Sequence, residues 1–465
     1  MERKSVLRTF VAGAVLTGLT STPTLAWQEK SEPSVEDLQR QIDELRAQQE
    51  QLTDLQKQID ELKAEQGEDV GLRSSDTKLR LIGRLHLDAW GFPSTDAGIN
   101  AIETGDPTQD PANNLEVRRA RLGVQGTFYE NMLYKAEIEY AKPDNFAFRD
   151  LYLGWSHLPA GQEVLLGNQK RPYGLDTLNS SNYNVFMERP FGVEAFNGSN
   201  RRPGVAAYGV TEQQRWNWRY GVFSMNDWAT TGDVVANNIQ PEIAARIAHT
   251  LWWKNDGRDF AHAALSGSYA WPDGDADTTR GDAPNEARFD TKPEADSQSR
   301  WIDTGRISGA NHYGLLGLEG VVNMGPTQFT AEVQGAQVER TSASDTFFWG
   351  GYAYASYFLT GEHMSWNRSR GVLGRTKVRN PIGKGWGAWQ LALRYSYADF
   401  SDEDVLGGEG QAVTFGLNWY WHDQASMQFN YLHGSIDDRE TDVGGLPTVV
   451  DGDYDIIGVR FRIFF

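Results

Sequence analysis

The chain has 465 residues, with 63 Asp and Glu against 44 Lys and Arg, a formal net charge of −19, and no cysteine. The charge argues against nucleic acid as a partner, because phosphate binding needs a net basic footprint; the missing cysteine excludes disulfides, thiolate metal sites and thiol chemistry. Only 39% of the residues are hydrophobic, and past the N-terminus no stretch approaches the roughly 18 unbroken apolar residues of a membrane helix. A helical membrane protein is excluded, whereas a barrel, whose alternating strands dilute their own hydropathy, is not.

Residues 1–26 read as a secretory signal peptide. Arg3, Lys4 and Arg8 precede an apolar run from Phe10 to Leu19, and Thr24-Leu25-Ala26 puts small residues where a signal peptidase reads. Residues 34–66 carry Val35, Leu38, Ile42, Leu45, Leu52, Leu55, Ile59 and Leu62 at three-and-four spacing, and Gln39–Ala47 recurs as Gln56–Ala64. This predicts a short periplasmic coiled coil with one discontinuity. Residues 67–77 read as a hinge.

From Lys78 the period changes to two. Leu79, Leu81, Leu85 and Leu87 share one face, and Lys78, Arg80, Arg84, His86 and Asp88 the other. The same alternation sets Ala120, Leu122 and Val124 against Arg119 and Arg121, and Ile457, Val459, Phe461, Ile463 and Phe465 against Arg460 and Arg462. Each strand has one lipid-like face and one wet face. Sixteen such segments are predicted: 78–91, 114–128, 132–141, 146–157, 162–169, 204–211, 215–225, 241–252, 260–271, 311–323, 327–338, 347–360, 386–399, 411–421, 424–434 and 453–465. An even count suits a closed all-β transmembrane barrel over residues 78–465, 16-stranded and antiparallel. Two segments complicate the pattern: 287–307 has room for another strand, and 361–385 is a long connection where a tight periplasmic turn belongs. Tryptophans at strand ends, among them Trp216, Trp252, Trp253, Trp386, Trp389, Trp419 and Trp421, suit an interfacial girdle.

The long connection 170–203 reads either as a solvated rim or as a compact loop folded into the lumen. Its Lys170, Arg171 and Arg189, with Arg119 and Arg121, are the candidate anion-binding constriction. Arg375, Lys377 and Arg379 lie in a basic run with no acid between His363 and Lys384, and with Arg80, Arg84, Arg394, Arg460 and Arg462 they are candidate pore-lining guides. Guanidinium presents fixed, bidentate donors to phosphate or carboxylate oxygens, and conduction needs many moderate sites instead of one tight one. No glycine-flanked nucleophilic serine, phosphate-cradling glycine loop or paired histidines at metal spacing is found, so neither an enzyme, a metal nor a cofactor is expected.

The stretches Arg118–Gly123, Lys170–Asp176, Phe186–Pro190, Arg202–Val205, Lys292–Glu294, Asp303–Gly305 and Gly385–Trp389 followed by Leu393–Ser396 resemble, in order, the phosphate-selective porins of the O and P type. The resemblance implies a homotrimeric channel in the bacterial outer membrane, with the third loop in the pore and basic residues guiding small anions such as phosphate across the lipid bilayer. It implies that 292–305 and 361–385 are non-strand or lumen-facing, and Phe465 resembles the terminal aromatic of the outer-membrane assembly signal. Phosphate-trapping members have a lysine-rich constriction, whereas no lysine lies between Leu175 and Arg202 here. The alternatives are a general, weakly selective diffusion porin and a barrel anchor whose coiled coil makes cell-wall contact.

Overall fold

The computed structural model describes residues 73–74, 77–141, 146–198, 200–226, 239–274 and 285–465, with isolated helical positions at Gln39, Asp43 and Gln49. The leader, all but those three positions of the 34–66 segment, and most of the hinge lie outside the described residues. The chain divides into two compact units, Met1–Glu68 and Asp69–Phe465; the second is the barrel.

Its wall has sixteen antiparallel strands: β1 Thr77–Thr95, β2 Asn114–Phe128, β3 Met132–Glu139, β4 Ala147–Leu158, β5 Gln162–Lys170, β6 Arg201–Val210, β7 Trp216–Ser224, β8 Pro241–Lys254, β9 Asp259–Ala270, β10 Ala310–Met324, β11 Thr327–Arg340, β12 Thr346–Phe358, β13 Ala388–Asp402, β14 Val405–His422, β15 Ala425–Val443 and β16 Leu446–Phe464. Each pairs with its neighbours, and β16 closes on β1 through a register running from Arg84 opposite Phe464 to Thr95 opposite Tyr454. Closure is completed at the last residue: the Gly83 N–H donates to the Phe465 carbonyl at 3.1 Å, and the Phe465 N–H donates to Gly83 at 3.0 Å. A closed ladder leaves no strand edge for lipid to meet unsatisfied.

Alternation divides the wall as expected. In β16, Phe461 and Ile463 are half exposed, while Arg460 and Arg462 are sealed inside. Short turns such as 129–131, 159–161 and 325–326 define the periplasmic end, and longer connections the outside. Strands β14–β16 run about ten residues or fewer beyond the expected ones, with tight turns at Glu403-Asp404 and at Gly444-Gly445, whose φ angles are +63° and +87°. Above the apolar band these hairpins carry Asp437, Asp438, Glu440 and Asp442, so the lipid signature ends before the hydrogen-bonded ladder does. A bulge at Leu251, opposite Ala261 and His262, resets the parity of β8: Leu251 and Trp252 both lie on the outer face, and Trp253 turns in against Phe260, 5.8 Å between ring centres. Segment 287–307 adds no wall strand; it holds only a two-residue ladder, Asp290–Thr291 with Ile302–Asp303.

The apolar core sits inside the barrel. Phe191 and Phe196 of the third outer loop and Phe289 and Trp301 of the fifth pack on inward-facing Phe348, Phe400 and Tyr454. Deleting Phe465 removes two closing hydrogen bonds, each contributing about 0.5–1.5 kcal/mol; the expected result is a lower yield of heat-modifiable, folded barrel on semi-native gels, with Phe465→Tyr close to wild type.

Candidate functional site

Loop 171–200 contains two short helices, α1 Leu175–Leu178 and α2 Phe191–Glu194, each held by wall side chains that meet its unpaired backbone groups. At the start of α1, the Glu332 carboxylate of β11 accepts from the N–H groups of Leu175 and Asp176 at 2.9 and 3.1 Å. At its end, the Lys170 ammonium donates to the carbonyls of Thr177, Leu178 and Asn179 at 2.6, 3.0 and 2.8 Å. An ammonium has three protons, so Lys170 is spent on the loop. At α2, Phe191 N–H donates to Glu294, whose other oxygen takes Thr414 at 3.0 Å and Arg394. Gly192 lies so close to the wall that a Cβ would stand 2.1 Å from the Tyr397 carbonyl.

The loop's midpoint is fastened by charge. Glu188 accepts from Arg118 at 2.9 and 3.0 Å and from Arg460 at 2.5 Å, with Arg119 at 3.6 Å. Arg460 also grips Asp88 bidentately at 2.7 and 2.5 Å. A bulge makes this convergence possible: His86 pairs with Arg119 and Leu87 with Val117, leaving Arg118 as the extra residue. Strict alternation would send Arg118 to the lipid face; the bulge turns it to the same side as Arg119. Burial alone would raise the Glu188 carboxyl, but the guanidinium groups of Arg118, Arg119 and Arg460 outweigh it and hold the group well below the usual range. Asp176 goes the other way. Burial pushes it up to about 6, and Arg189, 3.7 Å away, offsets this only in part.

The connection 361–385 enters from the periplasmic end. Its carbonyls at Arg368 and Gly371 take Asn217 Nδ2 at 3.2 Å and Arg246 Nη2 at 2.8 Å, and Arg219 donates to Arg370. Leu373 N–H reaches Asn179 of the outer loop at 2.9 Å. The two inserted segments therefore meet inside the barrel.

Beside them is a cavity of about 900 Å³ bordered mainly by β2–β7, with fourteen Arg or Lys and five Asp or Glu in its lining. Its wall is a lattice. Arg84 lies 3.3 Å from Glu137, Arg121 2.6 Å from Glu139 and 3.4 Å from Glu137, Lys135 3.4 Å from Glu137, and Arg201 2.5 Å from Asp150. Carboxylates between the cations fix their positions and leave a surplus of positive charge facing water.

Of the expected constriction residues, Arg119, Arg121, Lys170 and Arg189 line this cavity, as do Arg84 and Arg375 among the expected guides. Others are placed differently. Arg171 is buried against Glu242 at 2.9 Å, Arg394 against Glu294, and Arg462 against Ser426 Oγ at 2.6 Å and the Asn184 carbonyl at 3.2 Å. With Arg460 they do point inward, but they clasp the loop and do not line this cavity, because the loop covers their part of the wall. Arg80, Lys377 and Arg379 are exposed and also stand outside it. The lining adds Arg118, Lys135, Arg149, Arg201, Arg219, Lys292, Arg300 and Arg370. Arg219 alternates with Trp218 and Tyr220 and was legible from that pattern. Arg149 was not, since a bulge opposite Glu137 brings it and Asp150 to the same side.

A profile of the family described as phosphate-selective porin O and P matches residues 95–465. The chain belongs to that family. This porin is 28% identical over 403 residues to a protein of Caulobacter vibrioides described as uncharacterized, covering 84% of this chain and 75% of that one. It is 27% identical over 134 residues to Porin O of Pseudomonas aeruginosa, covering 26% of this chain and 30% of the relative. Among solved structures it is similar to the anion-selective porin of Comamonas acidovorans (TM-score 0.52, 14% identity, 84% of this chain and 100% of that one). The outer-membrane protein OmpT of Vibrio cholerae is comparable (TM-score 0.51, 12% identity, 85% and 100%). At such identity the likeness is one of fold. The barrel is a channel of the bacterial outer membrane.

Two outcomes follow from the loop's fastening. Glu188→Gln leaves Arg118, Arg119 and Arg460 without the loop carboxylate, a loss of about 3–5 kcal/mol in anchoring; single-channel recordings should show larger, noisier current. Asp176 is protonated more readily folded than unfolded, so its ionisation weakens the fold as pH rises from about 4 to about 6 and costs a constant amount above. Asp176→Asn should remove that slope and raise the unfolding midpoint at pH 7, measured by thermal scans across pH 3.5–7.5.

Proposed function

We propose that this porin carries passive, anion-preferring diffusion of phosphate or similar oxyanions, assembled as a homotrimer after export on the 1–26 leader. The observation that carries the reading is the cavity lining, fourteen basic against five acidic residues in a chain of net charge −19. The chain as a whole repels anions while the lumen draws them in, and in a confined low-dielectric passage the local charge decides.

In this reading Arg119, Arg121 and Arg189 contact the anion at the narrow part, Arg84, Arg201 and Arg219 receive it along the wall, and Arg375 serves the periplasmic mouth. Lys170 positions the loop. Moderate affinity follows from the lattice, because Glu137, Glu139 and Asp150 compete for the same guanidinium donors that a passing oxyanion would use. The same three carboxylates favour a second reading, a weakly selective diffusion pore, if they neutralise the wall more completely than the surplus of arginines suggests.

Planar-bilayer recording under a salt gradient tests the proposal: the reversal potential should report anion preference, and a cation preference would sink it. Replacing Arg119 and Arg121 by Gln should lower the anion-to-cation permeability ratio by roughly tenfold, and phosphate should reduce chloride current at lower concentration in wild type than in the double variant.

A further inference from the structure

The sequence 379–387 lies outside the wall strands and does not border the basic cavity. After the lumen-filling part of the 361–385 connection, the chain returns along the periplasmic rim of β13–β15 and is pinned there. Val378 N–H donates to Asp423 of the β14–β15 turn at 2.7 Å, Ile382 N–H to the Trp421 carbonyl at 2.9 Å, and Gly387 N–H to Asn380 at 2.9 Å. Lys384 and Gly385 both donate to the Pro381 carbonyl at 2.9 Å, and the Trp419 indole donates to the Trp386 carbonyl at 2.8 Å. Gly387 (φ +74°) cannot be replaced without strain, since a Cβ would lie 2.3 Å from the Tyr420 carbonyl. The result is a fixed knob, held at both ends.

What the knob presents is at odds with water. Trp386 is 83% exposed and Ile382 52% exposed, yet both stand on a rigid backbone next to the periplasmic aromatic girdle. Trp389 stacks on Trp419 at 5.1 Å, Trp419 meets Trp421 edge-on at 5.6 Å, and Trp421 approaches Phe461 at 6.0 Å. Trp386 extends that belt by one residue beyond the strand. Around it Lys377, Arg379 and Lys384 are all exposed, and among the described residues none of the three is ion-paired. The nearby carboxylates are occupied by backbone donors: Glu362 is buried and accepts from the Arg379 N–H at 3.2 Å, and Asp423 accepts from Val378.

We propose that this knob is a binding site for an anionic phospholipid of the inner leaflet. The Trp386 indole and the Ile382 side chain enter the boundary between headgroup and acyl chain, where an amphipathic ring is favoured. Lys384 and Arg379, with stems along the apolar surface, donate to the phosphodiester oxygens, and Lys377 adds charge behind them. Continuity with the girdle selects a lipid over a soluble anion, and the three unpaired cations select an anionic headgroup over a zwitterionic one. The basic run without an acid between His363 and Lys384 thus has two halves: Arg375 turned to the lumen, and Arg379 and Lys384 turned to the membrane surface.

The test uses the full-length porin in nanodiscs holding equal mole fractions of phosphatidylglycerol and phosphatidylcholine, released into native mass spectrometry. Wild type should retain phosphatidylglycerol preferentially, and Arg379→Gln with Lys384→Gln should reduce that preference by about tenfold or more. Trp386→Ala should weaken retention of both lipids alike, because the indole contributes no charge discrimination. Equal retention of the two lipids by wild type, or an unchanged preference in the double variant, would overturn the proposal, as would displacement of phosphatidylglycerol by millimolar inorganic phosphate, which would mark a free-anion site. Heat-modifiable mobility of each variant checks folding, and the wild-type comparison decides the matter even if the double variant does not fold.

Discussion

A guanidinium group sealed inside a barrel has to find its partner there, and this requirement organises the lumen. The wall turns Arg394, Arg460 and Arg462 inward because alternation leaves them no other side. Left against apolar atoms they would be costly, since a buried charge is tolerated only when paired and hydrogen-bonded. The outer loops supply the partners: Glu188 for Arg460, Glu294 for Arg394, and the carbonyls of Ser181 and Asn184 for Arg462. The wall in turn supplies Glu242 for the loop's Arg171. Loop and wall are halves of one electrostatic arrangement.

That pairing divides the arginines by fate. On the β13–β16 side the loops cover the wall and consume its cations. On the β2–β7 side the inserted segments stop short of filling the lumen, and the cations, spaced by Glu137, Glu139 and Asp150, border the open cavity. The same residue type therefore clasps the loop on one arc and borders the cavity on the other. The basic lumen in an acidic chain is a consequence of where the inserted segments leave space.

Much of this was legible in advance. All sixteen strands follow from the period of two, and the inward direction of Arg84, Arg119, Arg121, Arg460 and Arg462 follows from their parity. Loop 171–200 and segment 361–385 stood out because each is too long or too basic for its place. Less legible were the residues at bulges. Arg118 and Arg149 sit out of parity, and only the extra residue in the ladder brings them into the cavity. Trp252 shares the outer face with Leu251 for the same reason, which turns Trp253 inward.

Strand number, closure and the wet face of each strand were determined by the sequence alone, because a two-residue period is written into the order of side chains and survives without any knowledge of neighbours. Which inward cations meet water was decided only by the tertiary structure. Parity fixes a face, but occupancy of the lumen depends on contacts between residues far apart in the chain, such as Arg118, Arg119 and Arg460 around Glu188, and no local pattern in the chain encodes that meeting.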